Sequence, residues 1–240
     1  MIVTDSDASR NDVIRCLHLS SRDASKVRTI HCGIARRFAE ESPVRRPADA
    51  GDGRLLLYVG RSDPYKNVTG LIRIFKAARE RAPMPLRLCI AGSPDPRYPE
   101  AVRLAAELGL SDAVTWTGYL SDEALTALYR RADVLVHPSR YEGFGLQVAE
   151  AMACGTPVVC SRAGSLPEVA GDAALMFDPD DIDGFADAVV RVIVDERLSA
   201  ALRAKGRVRA AGFTWARAAR ETLAVYRAMA DRTSHRGSGS

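Results

Sequence analysis

The sequence predicts an α/β domain whose parallel sheet is covered by helices on both faces, and three observations carry that expectation. From about Leu55 onward, short leucine-rich or β-branched runs alternate with longer segments of helical periodicity, the signature of βαβ units. The short runs are continuously apolar rather than alternating, as strands buried on both faces are. The 240 residues are 47% apolar and 27% charged, enough for one substantial core with a smaller appendage.

Taken in order, the expected strands are Leu55 to Val59, Leu86 to Ala91, Val114 to Thr117, Val134 to His137, Pro157 to Cys160 and Ala174 to Phe177. Helices are expected near Val68 to Arg81, Pro99 to Leu108, Asp122 to Arg131, Gly145 to Ala153, Ile182 to Val194, Leu198 to Ala210 and Trp215 to Ala230. Ser121-Asp122-Glu123 offers a cap with acidic first-turn residues, and Gly109 and Gly155 stand where C-terminal glycines close helices. The first 53 residues differ in kind. Met1 to Thr4 reads as the stub of a parallel strand, Ser9 to Leu19 as a helix and Lys26 to Ile30 as a second strand. Residues 40–53, with Pro43, Pro47 and two glycines, read as a linker, and residues 231–240, ending Gly-Ser-Gly-Ser, as a disordered tail.

Charge narrows the function classes. A net +4, from 34 basic and 30 acidic residues spread evenly, points to no nucleic-acid partner, while an anionic small ligand fits equally well. Five cysteines without a CxxC pair, in a chain with no signal peptide at its start, suggest reduced thiols and a cytoplasmic protein. Cys89 and Cys160 lie in strand-like runs and read as core. No run approaches the roughly 20 apolar residues of a membrane span. Peripheral membrane contact stays open, through the arginine-rich stretch from Arg203 to Arg220, which otherwise reads as a solvated face or as the partner of another domain.

The candidate chemistry sits at the ends of strands, where open α/β sheets bind ligands. Gly143-Phe144-Gly145 is a glycine-flanked strand-to-helix turn, and such a turn lets backbone N–H groups approach an anion at the positive end of a helix. That effect contributes roughly 0.3 to 1 kcal/mol, too little to hold a diphosphate against water. Cations are therefore expected to converge, and Arg61, directly after the first strand, and Lys66, opening the next helix, are the candidates. Their removal is expected to abolish binding and leave thermal stability nearly unchanged. Glu150, about a turn and a half into the helix, suits the two hydroxyls of a ribose, and Glu142 faces what lies beyond the phosphates, a sugar. Each residue also has a plain reading: the two glutamates as cap and solvated helix face, the two cations as surface charge, Tyr119 as a core aromatic, His137 as a satisfied strand-end histidine. Asp5-Ser6-Asp7, Asp178-Pro179-Asp180 and Asp181-Ile182-Asp183 mimic metal motifs but read as helix caps and turns, so no metal site is expected.

Gly60-Arg61 with Lys66-Asn67, Gly118 to Glu123, Pro138-Ser139 through Glu150-Ala151-Met152, Gly155 to Val159 and Leu166 to Val169, in that order, resemble the C-terminal half of a GT-B, family 4 retaining glycosyltransferase. The resemblance covers roughly Leu55 to Ala230. It implies a Rossmann-like domain, residues 54–230, that holds a nucleotide sugar, preceded in residues 1–39 by a remnant of the acceptor domain and its crossover. His31-Cys32 stands where the family usually has proline-asparagine, and Gln147 where it often has proline.

Carried over residue by residue, Gly60, Arg61 and Lys66 would bind the diphosphate, and backbone groups of Gly143, Phe144, Gly145 and Leu146 the phosphate and sugar. Glu150 would bind the ribose, Glu142 the donor sugar, and Tyr119 with Leu120 the base. The implied reaction is sugar transfer from a nucleotide-diphosphate sugar, base unspecified, with retention. Glu142, Arg61 and Lys66 would be its catalytic groups, with no metal and no further cofactor. The acceptor would come from a missing domain or a separate subunit, and the chain alone is expected to be weak or inactive. The alternatives are a non-catalytic nucleotide-sugar-binding module that docks such a partner, and a related epimerase or phosphorylase.

Overall fold

The computed structural model describes residues 1–40 and 53–237, with side chains through Asp231. The linker expected over 40–53 lies almost entirely outside the described residues. At the N-terminus β1 (Ile2–Thr4) pairs in parallel with β2 (Val27–Thr29), and α1 (Asp7–Cys16) and α2 (Ser21–Ala24) connect them; α3 (Arg36–Ala39) follows. The rest alternates: β3 (Arg54–Val59), α4 (Val68–Arg81), β4 (Leu86–Ala91), α5 (Glu100–Glu107), β5 (Val114–Trp116), α6 (Asp122–Arg131), β6 (Val134–His137), α7 (Leu146–Ala153), β7 (Val158–Ser161), α8 (Leu166–Ala170) and β8 (Ala174–Phe177). The chain then runs through α9 (Ile182–Val194), α10 (Glu196–Ala210) and α11 (Trp215–Gly237).

Among the described residues all pairings are parallel, and the six strands of the main sheet lie in the order β5-β4-β3-β6-β7-β8. Strands built outward in one direction from β3 and in the other from β6 leave a crevice between the carboxyl ends of those two, the topological switch point of a Rossmann-like sheet. Successive side chains of a strand point to opposite faces, and the core divides accordingly. Leu56, Tyr58, Leu88, Ile90, Val134 and Val136 meet the buried faces of α4 and α9, while Leu57, Val59, Cys89, Leu135, Val158 and Cys160 meet α7 and its neighbours. That two-sided burial is why these strands read as unbroken apolar runs.

Four local features depart from the sequence reading. Lys66 ends a separate 3₁₀ turn, Pro64–Lys66, rather than opening α4, because Asn67 adopts a left-handed conformation (φ 56°) before the helix begins. α8 is a short helix that periodicity does not reveal. The last helix runs past Ala230 to Gly237, so residues 231–237 of the expected disordered tail are helical, and 238–240 lie outside the described residues. The basic face of α10 is not simply solvated. Arg203 Nη1 donates to Gly155 O at 2.9 Å, and Arg209 donates through Nε to Val169 O at 3.0 Å and through Nη2 to Glu168 O. These arginines satisfy orphan carbonyls near the ends of α7 and α8 and clasp α10 to them.

The first segment docks on α8 and on the turn after β6. Ser6 caps α1, and Glu168 of α8 accepts the N–H groups of Asp7 at 2.9 Å and Ala8 at 3.3 Å, a carboxylate at the positive end of a helix. His31 Nε2 lies 2.5 Å from Glu168 Oε1, and Ser9 Oγ donates to Gly143 O at 3.2 Å. Residues 1–39 thereby border the turn expected to hold phosphate.

Candidate functional site

The switch point is where the loops after β3 and β6 face each other, and Asn67 ties them together. Its buried Nδ2 donates to Pro138 O at 3.1 Å and to Pro179 O at 3.0 Å, and Arg140 N donates to Tyr65 O at 2.7 Å. With the loops so held, Lys66 on one meets Glu142 on the other: Nζ lies 2.9 and 2.8 Å from the two carboxylate oxygens. Both side chains are largely withdrawn from water, at 13% and 7% exposure. On the opposite side, His137 Nε2 lies 2.9 Å from Glu142 Oε1, and Ser139 Oγ is 3.2 Å from the same nitrogen. A carboxylate only accepts, so the ring donates from Nε2. That leaves Nδ1 buried and without a hydrogen-bond partner among the described residues.

Burial alone would raise the Glu142 carboxyl. The contacts with His137 and then with Lys66 more than offset that and bring it from 4.5 down to about 2. Glu142 is thus an ionised carboxylate at any ordinary pH, with one oxygen shared between a ring N–H and an ammonium. His137 stacks on Tyr58 with ring centroids 5.7 Å apart and planes at 16°, and the Tyr58 hydroxyl donates to Arg61 O at 3.0 Å. The buried ends of β3 and β6 therefore hold both the carboxylate and the backbone of the first candidate cation.

A cavity of about 690 Å³ opens beside this cluster, a volume within the roughly 300 to 1,000 Å³ of small-molecule sites. Gly60, Arg61, Lys66, Tyr119 and Leu120, all expected from the sequence, line it together with Gln147. Tyr119 is 93% exposed, which removes its reading as a core aromatic. Arg61 reaches into solvent at 73% side-chain exposure and is gripped by Asp63: Nε and Nη2 donate to the carboxylate at 2.8 and 2.9 Å.

Glu142 touches the cavity through Lys66. The turn from Gly143 to Leu146 lies beyond it, with Gly145 in a left-handed conformation (φ 90°) that permits the sharp entry into α7. Phe144 turns its ring inward against Phe213 at 5.4 Å and His31 at 5.9 Å, leaving its backbone for any ligand. Glu150 is not on the cavity wall. It accepts a hydrogen bond from the Tyr129 hydroxyl at 2.9 Å, and burial pushes its carboxyl above the ordinary range despite that bond.

Stability and binding separate differently from the expectation that both cations can be replaced at no structural cost. Arg61 fits it, being an exposed pair with its near neighbour. Lys66 does not, because it is half of a largely buried ion pair. The sequence reading also missed Ser93, Asp95 and Arg97 on the cavity wall, and Asp63, which holds Arg61 from behind it. An available signal was the repeated spacing of an arginine and an aspartate two residues apart just past two successive strands.

A family model described as Glycosyl transferases group 1 matches residues 42–209, more than two thirds of the chain. The chain belongs to the group 1 glycosyltransferases. Among its relatives are the O-antigen chain mannosyltransferase B of Escherichia coli, 34% identical over 95% of this chain and 61% of the relative, and a D-inositol 3-phosphate glycosyltransferase of Mycolicibacterium smegmatis, 37% identical over 89% and 50%. A solved sucrose-phosphate synthase from Thermosynechococcus elongatus superposes with a TM-score of 0.78 at 30% identity, covering 96% of this chain and 58% of that one. The GT-B type of α/β fold expected from the sequence is the fold observed. This group 1 chain spans about half to three-fifths of the length of these relatives.

Proposed function

We propose that this group 1 glycosyltransferase chain holds the donor, a nucleotide-diphosphate sugar, at the switch point of its sheet, and that the reaction it serves transfers the sugar with retention, as in family 4. The observation that carries this reading is the Lys66–Glu142 pair spanning the switch point beside a cavity that Arg61 also lines. The leaving group of such a transfer is a nucleoside diphosphate, whose negative charge grows as the sugar departs. Preorganised cations and N–H groups aimed at that charge are the usual largest source of rate. Arg61 still has its Nη1 end free while Asp63 holds the other edge, and Lys66 has three protons to share between Glu142 and an oxygen of the ligand.

The N-terminus of α7 adds its partial positive charge. Glu142, kept ionised and rigid, is suited to accept hydrogen bonds from sugar hydroxyls, and Glu150, half-buried against Tyr129 and off the wall of that cavity, from a ribose that extends past it. Positioning the acceptor falls to sequence that the longer relatives carry beyond the matched region, or to a separate subunit. In this reading the chemistry proceeds without a metal, because side-chain cations take its part.

A calorimetric screen of uridine, guanosine and adenosine diphosphate sugars against the chain tests the proposal. One of them is expected to bind, and to lose most of its affinity in Arg61→Ala. If none binds, or if binding ignores that substitution, the donor-site reading fails.

A further inference from the structure

β3 and β4 are neighbours in the sheet, and each ends in a loop carrying the same device in mirrored order. After β3, Arg61 donates through Nε and Nη2 to Asp63 at 2.8 and 2.9 Å. After β4, Arg97 donates through Nε and Nη2 to Asp95 at 3.1 and 2.7 Å, and Arg97 N also donates to Asp95 Oδ1 at 2.9 Å. Both arginines line the one cavity of the proposed donor site, and both are mostly exposed, at 73% and 67%. We propose that Arg97 is a second arginine fork for the phosphates of a nucleoside diphosphate, working beside Arg61; this rests on the donor-site reading above.

Three points lead there. First, in each pair the aspartate occupies the same edge of the guanidinium, so the Nη1 end, with two N–H groups, stays available, and the carboxylate acts as a hinge pin that aims the fork. Second, Arg61 and Lys66 each already share their N–H groups with a carboxylate, so few donors on that side are left for the several oxygens of a diphosphate. Arg97, its charge likewise balanced by Asp95, adds the two N–H groups of its Nη1 end on the same wall. Third, a pair two residues apart whose arginine is 67% exposed contributes about 0 to 1 kcal/mol to folding. Stability gives the Asp95–Arg97 pair little reason to exist, whereas gripping two oxygens of one phosphate is what a planar guanidinium fork does well. The Arg97 guanidinium also lies 5.4 Å from the centre of the Tyr98 ring, which narrows its swing.

The test compares Arg97→Ala, Arg97→Lys and Arg61→Ala with the unaltered chain, by calorimetric titration with the uridine, guanosine or adenosine diphosphate that binds it and with the matching nucleoside. Arg97→Ala is expected to weaken the diphosphate about ten- to hundred-fold, the range for a charge-assisted bond, and the nucleoside by less than about two-fold. Arg97→Lys should recover part of the loss, because it restores charge without the fork. The thermal midpoint should stay within about 2 °C of the unaltered chain, as for any exposed pair. Two results overturn the assignment while sparing the donor site. In one, Arg97→Ala binds diphosphate normally where Arg61→Ala does not. In the other, Arg97→Ala weakens nucleoside and diphosphate alike, which moves its contact to the base or ribose. Failure of every diphosphate to bind the unaltered chain overturns both proposals.

Discussion

Replacing Lys66 by methionine isolates the pair on which the site is built. Methionine keeps much of the aliphatic stem and removes the ammonium, leaving Glu142, 7% exposed, with His137 as its remaining charge-stabilising side chain. Removing one partner of a buried ion pair typically costs about 3 to 5 kcal/mol, since a charge is left without compensation. The 2.9 Å contact with His137 retains part of the stabilisation, so about 2 to 3 kcal/mol is the expected loss. At about 2 to 4 °C per kcal/mol for a chain of this size, the midpoint should fall by about 5 to 10 °C at pH 7.

Glu142→Gln alone should cost less, because Lys66 can turn toward the open cavity and water. The double substitution should then be less damaging than the sum of the two by about 2 kcal/mol. Thermal unfolding of the four proteins by calorimetry completes the cycle. A Lys66→Met midpoint within about 1 °C of the unaltered chain, or strict additivity, would refute the account of the pair.

Three further outcomes follow from the same geometry. Glu142, held at about 2 against 4.5 when unfolded, contributes stability that is complete above pH 4.5 and is lost as pH falls toward 2; Glu142→Gln should flatten that part of an acid-unfolding profile, and an unchanged profile would contradict the assignment. Glu150 has the opposite sign: its raised carboxyl contributes stability below pH 4.5 that disappears as pH climbs through its higher folded value. Glu150→Gln should therefore raise the midpoint at pH 7, by about 2 to 4 °C for each kcal/mol recovered, with little effect at pH 4; equal effects at both would sink this. Gly145→Ala places a methyl 2.6 Å from Leu166 Cδ2 in a backbone with φ 90°, and should cost at least about 1 to 3 kcal/mol, read as a fall in denaturant midpoint.

Much of the architecture was legible because periodicity reports burial. The helices Val68–Arg81, Asp122–Arg131 and Ile182–Val194 lie where the pattern put them, since each has one apolar face against the sheet. The positions of Arg61, Lys66 and Glu142 at strand ends were legible too, since glycines and prolines mark those ends. What was not legible were partners. Lys66 and Glu142 are 76 residues apart, and no local rule says that the strands bearing them become neighbours at the switch point. His137 looked like a satisfied strand-end residue, and only its contact with Glu142 shows what it does. The arginines of α10 looked solvated because charge is usually outside, but carbonyls near the ends of α7 and α8 needed donors. The helix over residues 231–237 escaped because its flanking glycines and serines resemble a tail.

Hydrogen–deuterium exchange of the chain, with and without the nucleotide-diphosphate sugar that binds it, decides whether the switch point is the donor site, because it reports where the ligand sits as well as whether it binds. Protection is expected to concentrate in residues 60–67 and 142–148, the loops after β3 and β6, with a lesser effect at 93–98. Protection that avoids these loops and appears instead around Arg28, Arg217 and Glu221, where a second cavity of about 500 Å³ lies, would contradict that assignment.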